Sequence, residues 1–450
     1  MSCGSAYPFC WRVPFWGLAV LFLPGPARLA AGADDSDVPA ELRKLQEQNQ
    51  LLRNQLNEQQ KLLEGLTRKV SALEQTSQTP APAPPPATEE RPERPAWLNG
   101  LGQVKLTGEG AVGFFHSGSQ GKFPNGDFRV DEARLFLEAP LWQDTYFASQ
   151  IDIVSRDEPM DEGYLRLGEL YLDFENVSRI WNASEQLALR AGRVYIPFGE
   201  EYQVRDANKN PLISRSLSDL WGIDEGVELY GKLGPARYVV AVQNGGHPMW
   251  QDFTSDKSVA GRVSYDPLSW LHLSVSAMRT GDLSVEGDGV SELWFGSGFI
   301  RALGSPTNTS TFHAELVEGD VQFLLPRGHL KAAGGWMTSG DDSPGNTTDR
   351  DVYYYYVEAL GKVTRKSYAA VRFSQILAED GFPIVGNGSF GQYFFGELTT
   401  QLWRLSLGLG HHLSPNLILK GEYTFEEGRT VTGNKRFHED LFALQAAFQF

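Results

Sequence analysis

The feature that most constrains this sequence is a two-residue rhythm that begins near residue 97 and continues to Phe450. In its first segment Val104, Leu106, Gly108, Gly110, Val112 and Phe114 alternate with Lys105, Thr107 and Glu109. In its last, Phe442, Leu444, Ala446, Phe448 and Phe450 alternate with Gln445 and Gln449. Successive side chains of a strand point to opposite faces, so strict alternation means a strand with one apolar and one polar face. Further segments of this kind fall near 128–139, 145–154, 164–174, 186–196, 226–232, 236–244, 258–266, 270–279, 311–321, 329–338, 351–361, 367–377, 400–411 and 416–426, which makes sixteen. Short turns (140–144, 233–235, 266–269, 413–415) take turns with long polar loops (116–127, 197–225, 245–257, 280–310, 339–350, 378–399, 427–438), although 175–185 is long for the short side. An even strand number with short turns at one end and long loops at the other is the outer-membrane pattern. The expected fold of residues 97–450 is therefore all-β, a 16-stranded antiparallel transmembrane β-barrel. A soluble sandwich is the competing fold, and it would turn the same apolar faces inward around a core. No apolar run past the leader reaches the roughly 20 residues that a spanning helix needs, so any spanning is done by strands.

One connection is out of proportion. Between the strand ending at Tyr195 and Ile196 and the one starting at Gly226, residues 197–225 carry Glu200, Glu201, Arg205, Asp206, Lys209, Arg215, Asp219, Asp224 and Glu225. Connections of this length are normally functional or disordered. The expectation is that this loop folds into the lumen and narrows it.

The chain ahead of the barrel divides into three. Residues 1–33 form a signal peptide: Arg12, an apolar run from Val13 to Leu23, and Ala31-Gly32-Ala33 as a cleavage site before Asp34. Residues 38–76 carry Leu42, Leu45, Asn49, Leu52, Leu56, Gln59, Leu63, Leu66, Val70 and Leu73 at three- and four-residue steps, an α-helical coiled coil. Asn49 and Gln59 on the seam lower stability and fix register or strand number. Residues 77–96 are a proline-rich linker, a semi-rigid spacer. This arrangement places the barrel in the outer membrane of a diderm bacterium and the coiled coil in the periplasm.

Composition removes several function classes. A net charge of −16 argues against nucleic acid bound through a basic surface. Both cysteines, Cys3 and Cys10, fall in the leader, so the mature chain has no thiol for catalysis, metal or disulfides. His411 and His412 are adjacent, and on a strand they point to opposite faces and cannot share a metal. No nucleophile elbow or base spacing supports an enzyme, and neither a cofactor nor a metal is expected. The four tyrosines 353–356 should send two rings to each face.

The runs AGRVYIPFGEE (191–201), ISRSLSD (213–219) with GVELYG (226–231), VVAVQNGG (239–246) and FRVDEARLFLE (128–138) resemble the phosphate-selective porins of the O and P type. The resemblance covers most of residues 97–450. It implies a sixteen-stranded trimeric barrel with its third long loop folded inside, a pathway for phosphate-type anions, and a terminal aromatic residue, which Phe450 matches. This chain departs from that pattern at three places. Asp131 and Glu132 stand where a pair of arginines is expected, though Arg129 and Arg134 remain. Tyr195 replaces a lysine, and Asp224-Glu225 replaces an arginine. Each change removes a cation or adds an anion. With apolar faces toward lipid, the lumen receives Lys105, Arg262, Lys331, Arg372, Arg404 and Lys420, together with Glu109, Asp152, Glu169, Asp173, Glu228, Glu422 and Glu426. That wall is mixed and has no ladder of cations, which argues against strong phosphate selectivity.

The expected function is an outer-membrane porin for passive diffusion of small polar or ionic solutes, with sugars or cations as alternatives to anions. Its pore and constriction residues would be Arg129, Asp131, Glu132, Arg134, Tyr195, Glu200, Glu201, Arg205, Lys209, Arg215 and Asp224. The implied partners are outer-membrane lipid, two further copies in a homotrimer held through coiled coil and barrel, and the solutes. A competing structural reading makes the coiled coil a tether to the cell wall, with the barrel as anchor.

Overall fold

The computed structural model describes residues 104–155, 163–220, 222–245, 255–284, 311–341, 349–393 and 396–450. The expected signal peptide, coiled coil and linker lie outside these residues. The alternating segments form strands β1 (Lys105–Ser117), β2 (Asp127–Trp142), β3 (Thr145–Ser155), β4 (Gly163–Phe174), β5 (Ala188–Tyr195), β6 (Ile223–Leu233), β7 (Ala236–Gln243) and β8 (Ser258–Leu268). They continue as β9 (Leu271–Arg279), β10 (Thr311–Leu325), β11 (Gly328–Asp341), β12 (Arg350–Lys362), β13 (Ser367–Phe382), β14 (Thr399–Ser414), β15 (Leu417–Thr430) and β16 (Leu441–Gln449). Each strand pairs antiparallel with the next, and β1 pairs with both β2 and β16, as in Glu109 opposite Arg134 on one side and Gln449 on the other. The described residues thus form a closed 16-stranded antiparallel barrel. Two-residue strands at Leu283–Ser284 and Lys435–Arg436 extend the sheet beside β10 and β15.

Burial in this barrel is inverted relative to a soluble protein. Val263 (55 % exposed), Val275, Leu409 and Leu444 stand on the outside, whereas Glu228, Arg372, Lys420 and Glu426 are buried on the inside. A soluble fold would not leave such a continuous apolar surface to water, while a membrane barrel requires one. Rings such as Trp270 against Phe323 and Phe373 against Trp403 stack on that outer surface. Tyr353 and Tyr355 face outward while Tyr354 and Tyr356 are buried in the lumen, two rings to each face.

The rule that apolar faces meet lipid fails where loops fill the lumen, most of all in one large cluster. On β10, Phe312, Ala314 and Leu316 point inward and are almost fully buried. They belong to an apolar cluster inside the barrel that includes Ile196, Phe198, Leu217, Met337, Ile376 and Leu402. Its cause is the loop after β5, which brings its own apolar side chains into the lumen and needs an apolar wall to bury them against. The segment past the predicted 367–377 strand does the same: Phe382 at the end of β13 and Ile384 in the loop beyond it are fully buried in this cluster. The 378–399 connection was expected to lie outside with the other long loops.

Candidate pore constriction

The loop between β5 and β6 is bonded to the inner wall along its length. Two kinds of contact alternate. Carboxylates of the wall accept from loop N–H groups: Glu132 from Ala207 (2.7 Å) and Glu422 from both Ile213 and Ser214 (2.9 Å for the latter). Cations of the wall donate to loop carbonyls: Arg262 to Gly199 (2.6 Å), Arg372 to Ser214 (3.0 Å) and Arg404 to Arg215 (2.8 Å). Lys420 donates to Ala207, Asn210 and Leu212 at 2.7–3.3 Å. The Tyr368 hydroxyl donates to Pro211 (2.8 Å), and the Gly199 and Leu217 N–H groups donate to Ser276 and Ser374. A loop has no ladder of its own, so its buried backbone groups must find partners elsewhere. Here the charged side chains of β2, β8 and β13–β15 supply them.

Gly199 marks the bend where the loop leaves β5. Its φ of +71° is a conformation L side chains rarely adopt, and a Cβ there would lie 2.6 Å from Glu318 Oε1. Beyond it, Glu201–Val204 forms one short 3-10 turn.

The predicted site residues fall into connected groups. Arg134 is buried and lies 3.4 Å from both Glu109 and Asp152, 3.7 Å from Glu132, and in contact with Asp206 of the loop. Lys209 reaches the other oxygen of Asp206 at 3.0 Å and keeps 57 % of its side chain exposed. Burial raises the pKa of Asp206, but Arg134 and Lys209 outweigh it and hold that carboxyl below its ordinary value. Glu201 accepts from the Ser216 N–H and hydroxyl, inside the loop itself. Its burial raises its pKa against the opposing charge of Arg372, 3.7 Å away. Arg205 and Arg215 converge on Asp219 at 3.1 and 3.7 Å. Glu200 lies 3.3 Å from both Arg262 and His272.

Arg129 sits 3.1 Å from Asp131 and over the rings of Phe115 and Phe123. Gln445 donates to the second Asp131 oxygen. Tyr195 lines the inner wall beside Gln150 (3.4 Å) and Tyr202. Asp224 does not join the loop. Strand pairing runs on from Ala191 opposite Val227 to Tyr195 opposite Ile223, so the loop closes at residue 222 and Asp224 stands on β6. Its carboxylate accepts from the backbone of Glu225 and Gly245.

Several residues of the site were not anticipated. Arg190 and Arg193 on β5 were read as strand residues, yet Arg190 bridges Asp173 (2.9 Å) and Glu228 (3.0 Å), and Arg193 reaches Glu225 (3.2 Å). Three residues apart, they have opposite parity on a strand, so alternation does not assign both to one face. Arg436 is fully buried, donates to Ile384 (2.6 Å), Val385 (2.7 Å) and Thr399, pairs with Glu439, and lies 3.6 Å over the Tyr393 ring. Together with Asn387, which accepts from Arg404 (3.2 Å), it ties the loop beyond β13 down. No local signal in the sequence connects residues so far apart.

No family model matches the chain, and no curated protein matches it. Solved structures do. The chain is similar to the crystal structure of the outer membrane channel DcaP of Acinetobacter baumannii, with 13 % identity, a TM-score of 0.52, and coverage of 77 % of this chain and 97 % of that one. It is also similar to OmpT, an outer membrane protein of Vibrio cholerae, with 10 % identity, a TM-score of 0.51 and the same coverage. At such identities the likeness concerns the fold alone, and it does not extend to the narrower resemblance to phosphate-selective porins. The fold is that of an outer-membrane β-barrel.

Proposed function

We propose that this chain is an outer-membrane porin through which small polar or ionic solutes diffuse passively, with the β5–β6 loop as the constriction. The observation that carries the reading is the loop's attachment across the lumen to β2, β8, β9 and β13–β15 within a barrel that is apolar outside. Phosphate-type anions are not its preferred solute. Of the six wall cations expected in the lumen, Arg262, Arg372, Arg404 and Lys420 donate to loop carbonyls. Arg372 and Arg404 also pair with Glu358 and Glu426. An anion stripped of water needs donors that are not already engaged. The coiled coil expected at 38–76 supports a homotrimer with that segment in the periplasm.

Planar-bilayer recordings test this reading. The expected result is discrete conductance steps, a reversal potential under a potassium chloride gradient without anion preference, and no block by millimolar phosphate. Anion selectivity with phosphate block would overturn the selectivity reading, and absence of any conductance would overturn the channel.

A further inference from the structure

We infer that the lumen holds a binding site for a neutral polyhydroxylated solute, a mono- or disaccharide, between the underside of the β5–β6 loop and the wall of β5–β9. The inference rests on the porin reading and names a solute class for it. A cavity of about 480 Å³ lies there, lined by Arg190, Glu200, Tyr202, Glu228, Tyr230 and Arg262. That volume is within the roughly 300–1,000 Å³ typical of small-molecule sites.

The charges of the cavity decide what it can hold. Arg190 stands between Asp173 and Glu228, and Arg262 lies 3.3 Å from Glu200. Of the charged residues that line the cavity, Arg190, Lys232, Arg237 and Arg262 are matched by Glu175, Glu185, Glu200 and Glu228, so an anion meets no positive excess. An organic cation meets Glu200 and Glu228 already paired with arginines and Glu185 with Lys232, and the ring faces of Tyr230 and Tyr202 are covered. Arg190 lies 4.4 Å over Tyr230, and Arg262 lies 5.3 Å over Tyr202. A hydroxylated neutral solute displaces nothing. A carboxylate has lone pairs to spare after one guanidinium bond, and Arg190 uses only its Nε and Nη1 groups on its partners. Ser264, Gln203 and His272 border the same space and add further donors and acceptors. Rigid, paired charges of this kind present strong hydrogen-bonding groups with no reorganisation of the wall.

The test is isothermal titration calorimetry of the full chain in detergent with maltose, choline and inorganic phosphate, folding being verified by heat-modifiable gel mobility. Saturable maltose heat is expected, unchanged by high potassium chloride, with no saturable heat from choline or phosphate. Ser264→Trp fills the cavity from the wall and should weaken maltose binding at least tenfold, while Gln203→Ala, at the cavity edge, should weaken it several-fold. If Ser264→Trp fails to fold, Gln203→Ala carries the comparison. Folded protein without maltose binding, maltose binding unaffected by the variants, or choline binding in its place would overturn the inference. Conductance of the same preparation separates the two readings, since a conducting channel without maltose binding removes this site and leaves the porin.

Discussion

Lys420 Nζ on β15 lies 2.7 Å from the carbonyl oxygen of Ala207 on the β5–β6 loop, and the same ammonium reaches the carbonyls of Asn210 and Leu212. One wall cation thus closes a turn of loop backbone that has no partner in secondary structure. Replacing it by methionine keeps the length and removes the donor. Each buried carbonyl left unsatisfied costs about 1–3 kcal/mol. Lys420→Met should loosen the loop, giving larger and noisier single-channel currents and a lower melting temperature.

Gly199 allows the loop to turn inward beside Glu318. Alanine there must adopt a φ of +71° and meets Glu318 Oε1. The conformation alone costs roughly 1–2 kcal/mol in an L residue. Gly199→Ala should lower the melting temperature, and Glu318→Ala in the same chain should restore only part of the loss, because shortening Glu318 relieves the contact and not the backbone strain. Full restoration would show that φ is not the constraint.

Leu217 and Val263 test which side of the wall is packed. Leu217 is 3 % exposed in the apolar cluster inside the barrel, whereas Val263 faces lipid. Truncating a buried leucine costs about 2–5 kcal/mol. Leu217→Ala should destabilise the barrel clearly in urea unfolding, and Val263→Ala should change it little. Equal losses would contradict the inside-out assignment.

Asp206 gives the loop an acid-sensitive anchor. Its pKa lies lower in the folded chain than its ordinary 3.8, because Arg134 and Lys209 outweigh burial. A carboxylate of that kind contributes stability that is fully present above the unfolded value and is lost as pH falls through the lower folded one. The stability difference between wild type and Asp206→Asn should be constant at neutral pH and shrink as pH falls below 3.8. A difference that grows in acid would reverse the sign and remove the proposed pairing.

Most of the barrel was legible because strand alternation is local. The segments predicted at 128–139 and 236–244 became Asp127–Trp142 and Ala236–Gln243, and the long loop after Tyr195 was visible by its length. Alternation shows that a strand has two faces and does not show which face meets lipid. Phe312, Ala314 and Leu316 face inward because the loop that covers them is apolar there. The site was less legible for the same reason. Arg205, Lys209 and Arg215 were found through their position in the loop, but Asp224 was assigned to it because Gly226 marked the strand start three residues late. The bond of Arg436 to Ile384 joins segments separated by a strand pair, a relation no local pattern carries.

The central claim is that the β5–β6 loop lies in the conduction path. Lys209, whose side chain is 57 % exposed, offers a direct test, since both native cysteines, Cys3 and Cys10, fall in the expected leader. Single channels of Lys209→Cys should lose conductance when a bulky methanethiosulfonate reagent is attached. Complete modification, verified by mass spectrometry, with unchanged conductance would place the solute path elsewhere and contradict the account.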